Sequence, residues 1–182
     1  MTYSTRNKIG LSVLVISFVA TTVAILTPFW LQNRVDSTFA KMGLWVKCAP
    51  GEYQDEYRIK YNKAEFWEDE CSWIVLPVQY PWLFFAIQIS YTGSWIILIF
   101  TGAKLAWTIL CSGNRTYEAK PMQRTAVFLL FSGFLGAIGI VIFFTMCERW
   151  TPKSRDNFIS WSFWLGTLGA LGQIGASLIF MT

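Results

Sequence analysis

The sequence contains no histidine. That removes at once the commonest general base, the commonest metal ligand and the side chain that most readily switches charge near neutral pH. Charge is scarce too, at 14% of residues against about 25% for an ordinary soluble domain. The four cysteines include no closely spaced CxxC pair, so a thiolate metal site is disfavoured. No nucleophile–base pair and no phosphate-binding glycine loop can be read, which sets enzymatic chemistry aside. Neither a cofactor nor a nucleic-acid partner is expected.

What the chain has instead is apolar length. No charged residue falls between Lys8 and Arg34, between Ser72 and Ala103, between Thr125 and Cys147, or from Phe158 to Thr182. Each run can cross a bilayer core as a helix, which takes about 20 residues. The expected spans are 9–31, 81–110, 125–147 and 158–182 of a single domain covering 1–182. A long outer loop is expected at 32–80, a cytoplasmic loop at 111–124 and a second outer loop at 148–157. The first run exceeds the 7–15 apolar residues of a cleaved leader, and Pro28-Phe29-Trp30 reads as an interfacial exit whose indole suits the headgroup layer.

Lysine and arginine set the orientation. Arg6, Lys8, Lys104, Arg115, Lys120 and Arg124 fall on one side with a single acid, Glu118. The 32–80 loop carries eight acids against six bases, and the 148–157 loop is net +1. Both termini are therefore expected in the cytoplasm of a plasma-membrane protein. The sequon Asn114-Arg115-Thr116 is then hidden from glycosylation. No span carries a charge at its middle, which argues against a transport path. The second span holds Gln88, Thr92, Gly93 and Ser94 and the fourth Gln173; the two amides are expected to bond across helices. The chain ends at Thr182, directly after the fourth span, so no scaffold-binding cytoplasmic peptide is read.

The long loop is organised around Met42–Cys48 and Cys71. In an oxidising compartment the default for these cysteines is a disulfide, worth about 3 kcal/mol in the simple loop-entropy picture. Cys111 lies on the other side, where it is a candidate for reversible acylation at the membrane edge. Cys147 lies at the outer end of the third span, so Cys48–Cys71 is the favoured pairing and not the only one. Tyr57–Asn62 alternates like a half-buried strand. Gly43–Lys47 can also be extended, with Leu44 and Val46 on one face and Trp45 on the other. The acids of Ala64–Glu70 read as a solvated helical turn, and Phe66-Trp67 within it as sheet core or an interface anchor. Small residues recur every third position at Gly133, Gly136 and Gly139, and again at Gly166, Gly169, Gly172 and Gly175. Such flat faces allow close helix approach within the chain and leave surface for a lateral partner.

Trp30, then Gly43-Leu44-Trp45, then Cys48 and Cys71 resemble the W–GLW–C–C signature of the claudin superfamily. That group includes claudins, peripheral myelin protein and its epithelial relatives, the lens fibre membrane protein, and the gamma subunits of calcium channels and AMPA receptors. Phe158–Phe163 is similar to the W-S-[FY] block that opens the fourth span in the gamma subunits and the lens protein. The resemblance covers essentially the whole chain. It implies a left-handed four-transmembrane-helix bundle with a small extracellular antiparallel sheet from the first outer loop, a structural disulfide, and a GLW segment seating the sheet. Three features depart from claudins: 22 residues between the cysteines, no arginine in Ser72–Trp82, and a short, charged second outer loop. Two roles are therefore expected, an auxiliary subunit of an ion channel or receptor, or a junction and paracellular barrier protein. The partners would be membrane lipids and another integral membrane protein, or a second copy of the chain.

Overall fold

The computed structural model describes residues 5–33, 41–50, 69–74, 82–111, 119–150 and 157–182. Four helices, α1 (Thr5–Leu26), α2 (Trp82–Cys111), α3 (Ala119–Trp150) and α4 (Trp161–Met181), are each long and apolar enough to cross a membrane. Helix is the form such runs must take in lipid, because it satisfies every backbone donor and acceptor within one segment. The helices pack in the ring α1–α4–α3–α2, and the ring closes only lightly between α1 and α2.

The ends differ from the expected spans for identifiable reasons. α1 stops at Leu26, not near residue 31, because Pro28 disfavours the helical conformation at the preceding Thr27. Thr27 turns its hydroxyl back onto the Val23 carbonyl, 2.8 Å away. α3 starts six residues before Thr125 and runs three beyond Cys147. Polar residues end the apolar run there, and the helix continues past it. α4 starts at Trp161, since Asn157–Ile159 forms a strand.

Five short antiparallel strands make one sheet: β1 (Leu31–Asn33), β2 (Lys41–Met42), β3 (Val46–Pro50), β4 (Asp69–Trp73) and β5 (Asn157–Ile159), in the order β4-β3-β2-β1-β5. The chain between α1 and α2 supplies four of them. The fifth comes from the second loop and pairs Leu31 with Ile159 and Gln32 with Phe158, so the sheet is not built from the first loop alone. Gly43–Trp45 is not extended either. It is a tight turn between β2 and β3, closed by the Gly43 amide donating to the Val46 carbonyl at 2.8 Å. Asp69 and Glu70 are strand residues opposite Pro50 and Ala49, which excludes them from a helical turn; strand pairing with β3 holds them extended. Tyr57–Asn62, Phe66 and Trp67 lie outside the described residues.

Two apolar clusters fill the bundle. The outer one, beneath the sheet, gathers Trp30, Leu31, Met42, Leu44, Phe84, Tyr91, Phe143 and Phe163. The inner one is largely aliphatic and includes Leu14, Leu98, Leu105, Leu129 and Phe180. Of the seven glycines expected to leave a lateral face, all but Gly175 are used up inside the chain; a Cβ on Gly175 would meet nothing within 4 Å. A Cβ on Gly133 would meet Ile174 at 2.6 Å, on Gly136 the Ser94 hydroxyl at 2.9 Å, and on Gly139 the Ser90 hydroxyl at 3.0 Å. Gly166 faces the Tyr91 hydroxyl, Gly169 faces Thr21 and Gly172 faces Ser17. With α1, α2 and, at Gly133, α4 pressed against these positions, none of these six is open to a second protein.

Candidate functional site

The arrangement that decides how the outer sheet is presented starts at the end of α1. A helix end leaves its last carbonyls without intrahelical partners, and in lipid no water can serve them. Trp30 doubles back to fill the gap, its indole Nε1–H donating to the Ala24 carbonyl at 2.6 Å. The ring is fully buried. It stands edge-on to Tyr91, Phe143 and Phe163, with centroids 5.0, 5.1 and 5.7 Å away. Trp30 is therefore not the headgroup-layer anchor its sequence position suggests. It is the hub of the outer core, touching α2, α3 and α4 at once.

Main-chain bonds then clamp the sheet to this hub. The Trp30 amide donates to the Met42 carbonyl at 3.1 Å, the Ser160 amide to the Trp30 carbonyl at 3.1 Å, and the Ser162 amide to the Phe29 carbonyl at 3.2 Å. Thr27 and Ser162 share a hydroxyl–hydroxyl bond at 2.7 Å, which joins the end of α1 to the start of α4. Gly43 sits so close that a Cβ would lie 2.5 Å from the Thr27 carbonyl oxygen and 2.8 Å from the Pro28 Cα. Backbone cannot give way as a flexible side chain can, so glycine is required. Leu44 is fully buried, and Trp45 is half-buried against the same core.

From the other side of the seat, α2 reaches up with Gln88. Its buried Nε2 donates to the Leu44 carbonyl at 2.6 Å and to the Ile74 carbonyl at 3.2 Å. One amide thus serves both the Gly-Leu-Trp turn and the residue just after β4. The sequence suggested that Gln88 bonds between helices; it bonds helix to sheet instead. Between β3 and β4, directly opposed Cys48 and Cys71 form the disulfide. Cys147 is buried in the outer core, and Cys111 is exposed at the end of α2.

Around the seat lies an aromatic rim. Trp73 and Trp82 are each 74% exposed, and Trp161 and Trp164 about half exposed, as befits amphipathic rings at a membrane–water boundary. Lys41 holds its ammonium 5.4 Å from the centre of the Phe29 ring. Among the described residues no three metal-ligating side chains converge. What the arrangement can do is present a rigid sheet surface at a fixed height over the helices. Sequence reading missed Tyr91 and Phe143, because one aromatic among many in an apolar span carries no mark of the face it takes.

A family model described as PMP-22/EMP/MP20/Claudin tight junction matches residues 15–182. No curated protein matches the chain significantly. Four membrane-length helices, the five-stranded sheet with its disulfide, and a family match over nearly the whole length agree: the chain is a multi-pass membrane protein and belongs to the PMP-22/EMP/MP20/claudin family.

Proposed function

We propose that the protein is an auxiliary subunit of an ion channel or receptor in the plasma membrane, with both termini cytoplasmic and the sheet outside. It acts by contact, through the sheet against a partner's ectodomain and through its helices within the bilayer. The observation that carries this reading is the second outer loop. Six residues link Trp150 to Asn157 before the chain is tied back into the sheet as β5 against β1. That leaves little length to reach an apposed cell, whereas a lateral partner needs only the sheet and the helix faces. The Cys48–Cys71 bond supports an outer position for the sheet, since such bonds persist in oxidising compartments.

A junction role is the second reading. It is favoured by the acidic first loop, with eight acids against six bases, which would draw cations into a paracellular path. Affinity purification in mild detergent with mass spectrometry separates the two. A stoichiometric channel or receptor supports the auxiliary role; self-strands at cell contacts sink it. Clustering of non-adherent cells that express the chain alone would also count against it.

A further inference from the structure

One side of α2 is unlike the other lipid-facing surfaces. Phe100, Lys104, Trp107 and Cys111 follow one another at i, i+4, i+7 and i+11, the spacing of a single helix face, and all four are exposed. Phe100 and Trp107 are each 71% exposed, while Leu98 and Leu105 on the opposite face are buried in the inner core. Lys104 stands seven residues, about 10 Å, inside the end of the helix. A cation at such a position in a membrane helix needs an anion or a route to water.

The depth of Lys104 follows from the length of α2. Its 30 residues extend about 45 Å, against a hydrocarbon core of about 30 Å. With the exposed Trp82 indole at the outer boundary, the core is crossed after about 20 residues, close to Gly102. Lys104 then lies at the level of the inner-leaflet phosphates, with Phe100 one turn towards the acyl chains and Trp107 one turn towards the cytoplasm. Among the described residues, charge at this end is one-sided. Arg6 and Lys8 of α1 and Arg124 of α3 are exposed there. The described acids Asp69, Glu70 and Glu148 belong to the sheet and to the sheet end of α3.

We propose that this face is a binding site for an anionic phospholipid of the cytoplasmic leaflet. The Lys104 ammonium holds the headgroup phosphate, the Trp107 indole covers the headgroup from its cytoplasmic side, and one acyl chain runs over Phe100. The neighbouring bases of α1 and α3 raise the local concentration of such lipids, and Lys104 fixes one of them. Which leaflet is involved rests on the proposed orientation; the site itself does not.

Native mass spectrometry of the full chain, released from phosphatidylcholine discs doped with phosphatidylserine, tests this. Both faces of a disc present the same lipids, so the result is independent of orientation, which glycosylation at Asn114 reports separately. Lys104→Gln should weaken phosphatidylserine retention about fivefold, Lys104→Arg should preserve it, and Arg124→Gln should weaken it less than Lys104→Gln. In a Phe100→Trp variant, phosphatidylserine brominated in its acyl chains should quench the added fluorescence more strongly than brominated phosphatidylcholine does. Equal losses for Lys104→Gln and Arg124→Gln would reveal diffuse charge and overturn the site. So would unchanged lipid retention in Lys104→Gln accompanied by loss of a co-purifying membrane protein, because the face would then belong to a partner helix.

Discussion

The outer and inner halves of the bundle are filled with different materials. Beneath the sheet the core is aromatic and tied by directional bonds, with Trp30 donating to Ala24 and Gln88 donating to Leu44 and Ile74. Towards the end away from the sheet the cluster is made chiefly of leucine and alanine. Between them runs a polar belt in which Gln173 joins Thr21 of α1 to Ser132 of α3. Lipid tails are as apolar as leucine, so the inner half gains only van der Waals contact from packing and needs only to space the helices. The outer half has to orient a sheet, and orientation requires hydrogen bonds and rings that meet at fixed angles. If that division holds, substitutions in the outer half should alter the pose of the sheet, and matched ones elsewhere should not.

The largest effect is expected at Trp30. Trp30→Ala removes a fully buried ring and leaves the Ala24 carbonyl only the longer bond from the Ser162 hydroxyl, at 3.3 Å, at a loss of about 3–5 kcal/mol, and surface expression should collapse. Thermal unfolding in mild detergent, read by dye labelling of the buried Cys147 in a Cys111→Ser background, measures the loss directly. A shift no greater than that of Leu98→Ala, its inner-half counterpart, would erase the contrast between the halves.

Next comes the disulfide. Replacing Cys48 and Cys71 together by serine should cost about 2–5 kcal/mol and free β4 from β3, while the helices stay assembled. Limited proteolysis should then cut within 49–70 in the double variant at protease levels that spare the original protein, and circular dichroism should retain its helical signal. Loss of the helical signal would mean that the bundle depends on the sheet, reversing the order of support argued here.

Gln88 offers a narrower test. Gln88→Leu keeps the bulk and removes two donors, which leaves the Leu44 and Ile74 carbonyls buried without that partner. The expected loss is about 1–3 kcal/mol. It should appear as earlier labelling of Cys147 on heating and as weaker binding of an antibody selected against the folded sheet. Unchanged antibody binding would show that the main-chain clamps at Trp30 and Ser160 suffice to set the pose.

What could be read from the chain beforehand follows the same division. Membrane spans are legible because an uncharged run is a local property of length; the Cys48–Cys71 pairing was only favoured, because the expected topology removes Cys111 and leaves Cys147 as a competitor. The fifth strand is different. Asn157-Phe158-Ile159 is too short to show alternation, and it is a strand only because Leu31–Asn33 lies beside it. The turn at Gly43–Trp45 was hidden for the opposite reason. Leu44 and Val46 imitate a strand pattern, while the feature that enforces the turn, Gly43 pressed against Thr27 and Pro28, joins segments that meet only in the fold. Trp30 showed its importance but not its place, since an indole next to a span suits a headgroup layer as well as a capped helix end.

The smallest effect, and the sharpest check on the comparison, is expected in the polar belt. The Gln173 carbonyl accepts from the Ser132 hydroxyl at 2.6 Å, and its amide donates to the Thr21 hydroxyl at 3.2 Å. Ser132 has other recourse: its one hydroxyl proton can turn to the Ser94 carbonyl, 2.7 Å away. An interhelical bond of this kind in a membrane averages about 0.6 kcal/mol, and leucine fills nearly the same volume as glutamine. Gln173→Leu should therefore lose about 1 kcal/mol or less, with Cys147 labelling almost unchanged and antibody binding intact. A loss as large as that of Gln88→Leu would mean that the belt orients the helices as strictly as the outer core orients the sheet. The inner half would then be a second specified layer, and the contrast would lie between sheet and helices instead of between the two ends of the bundle.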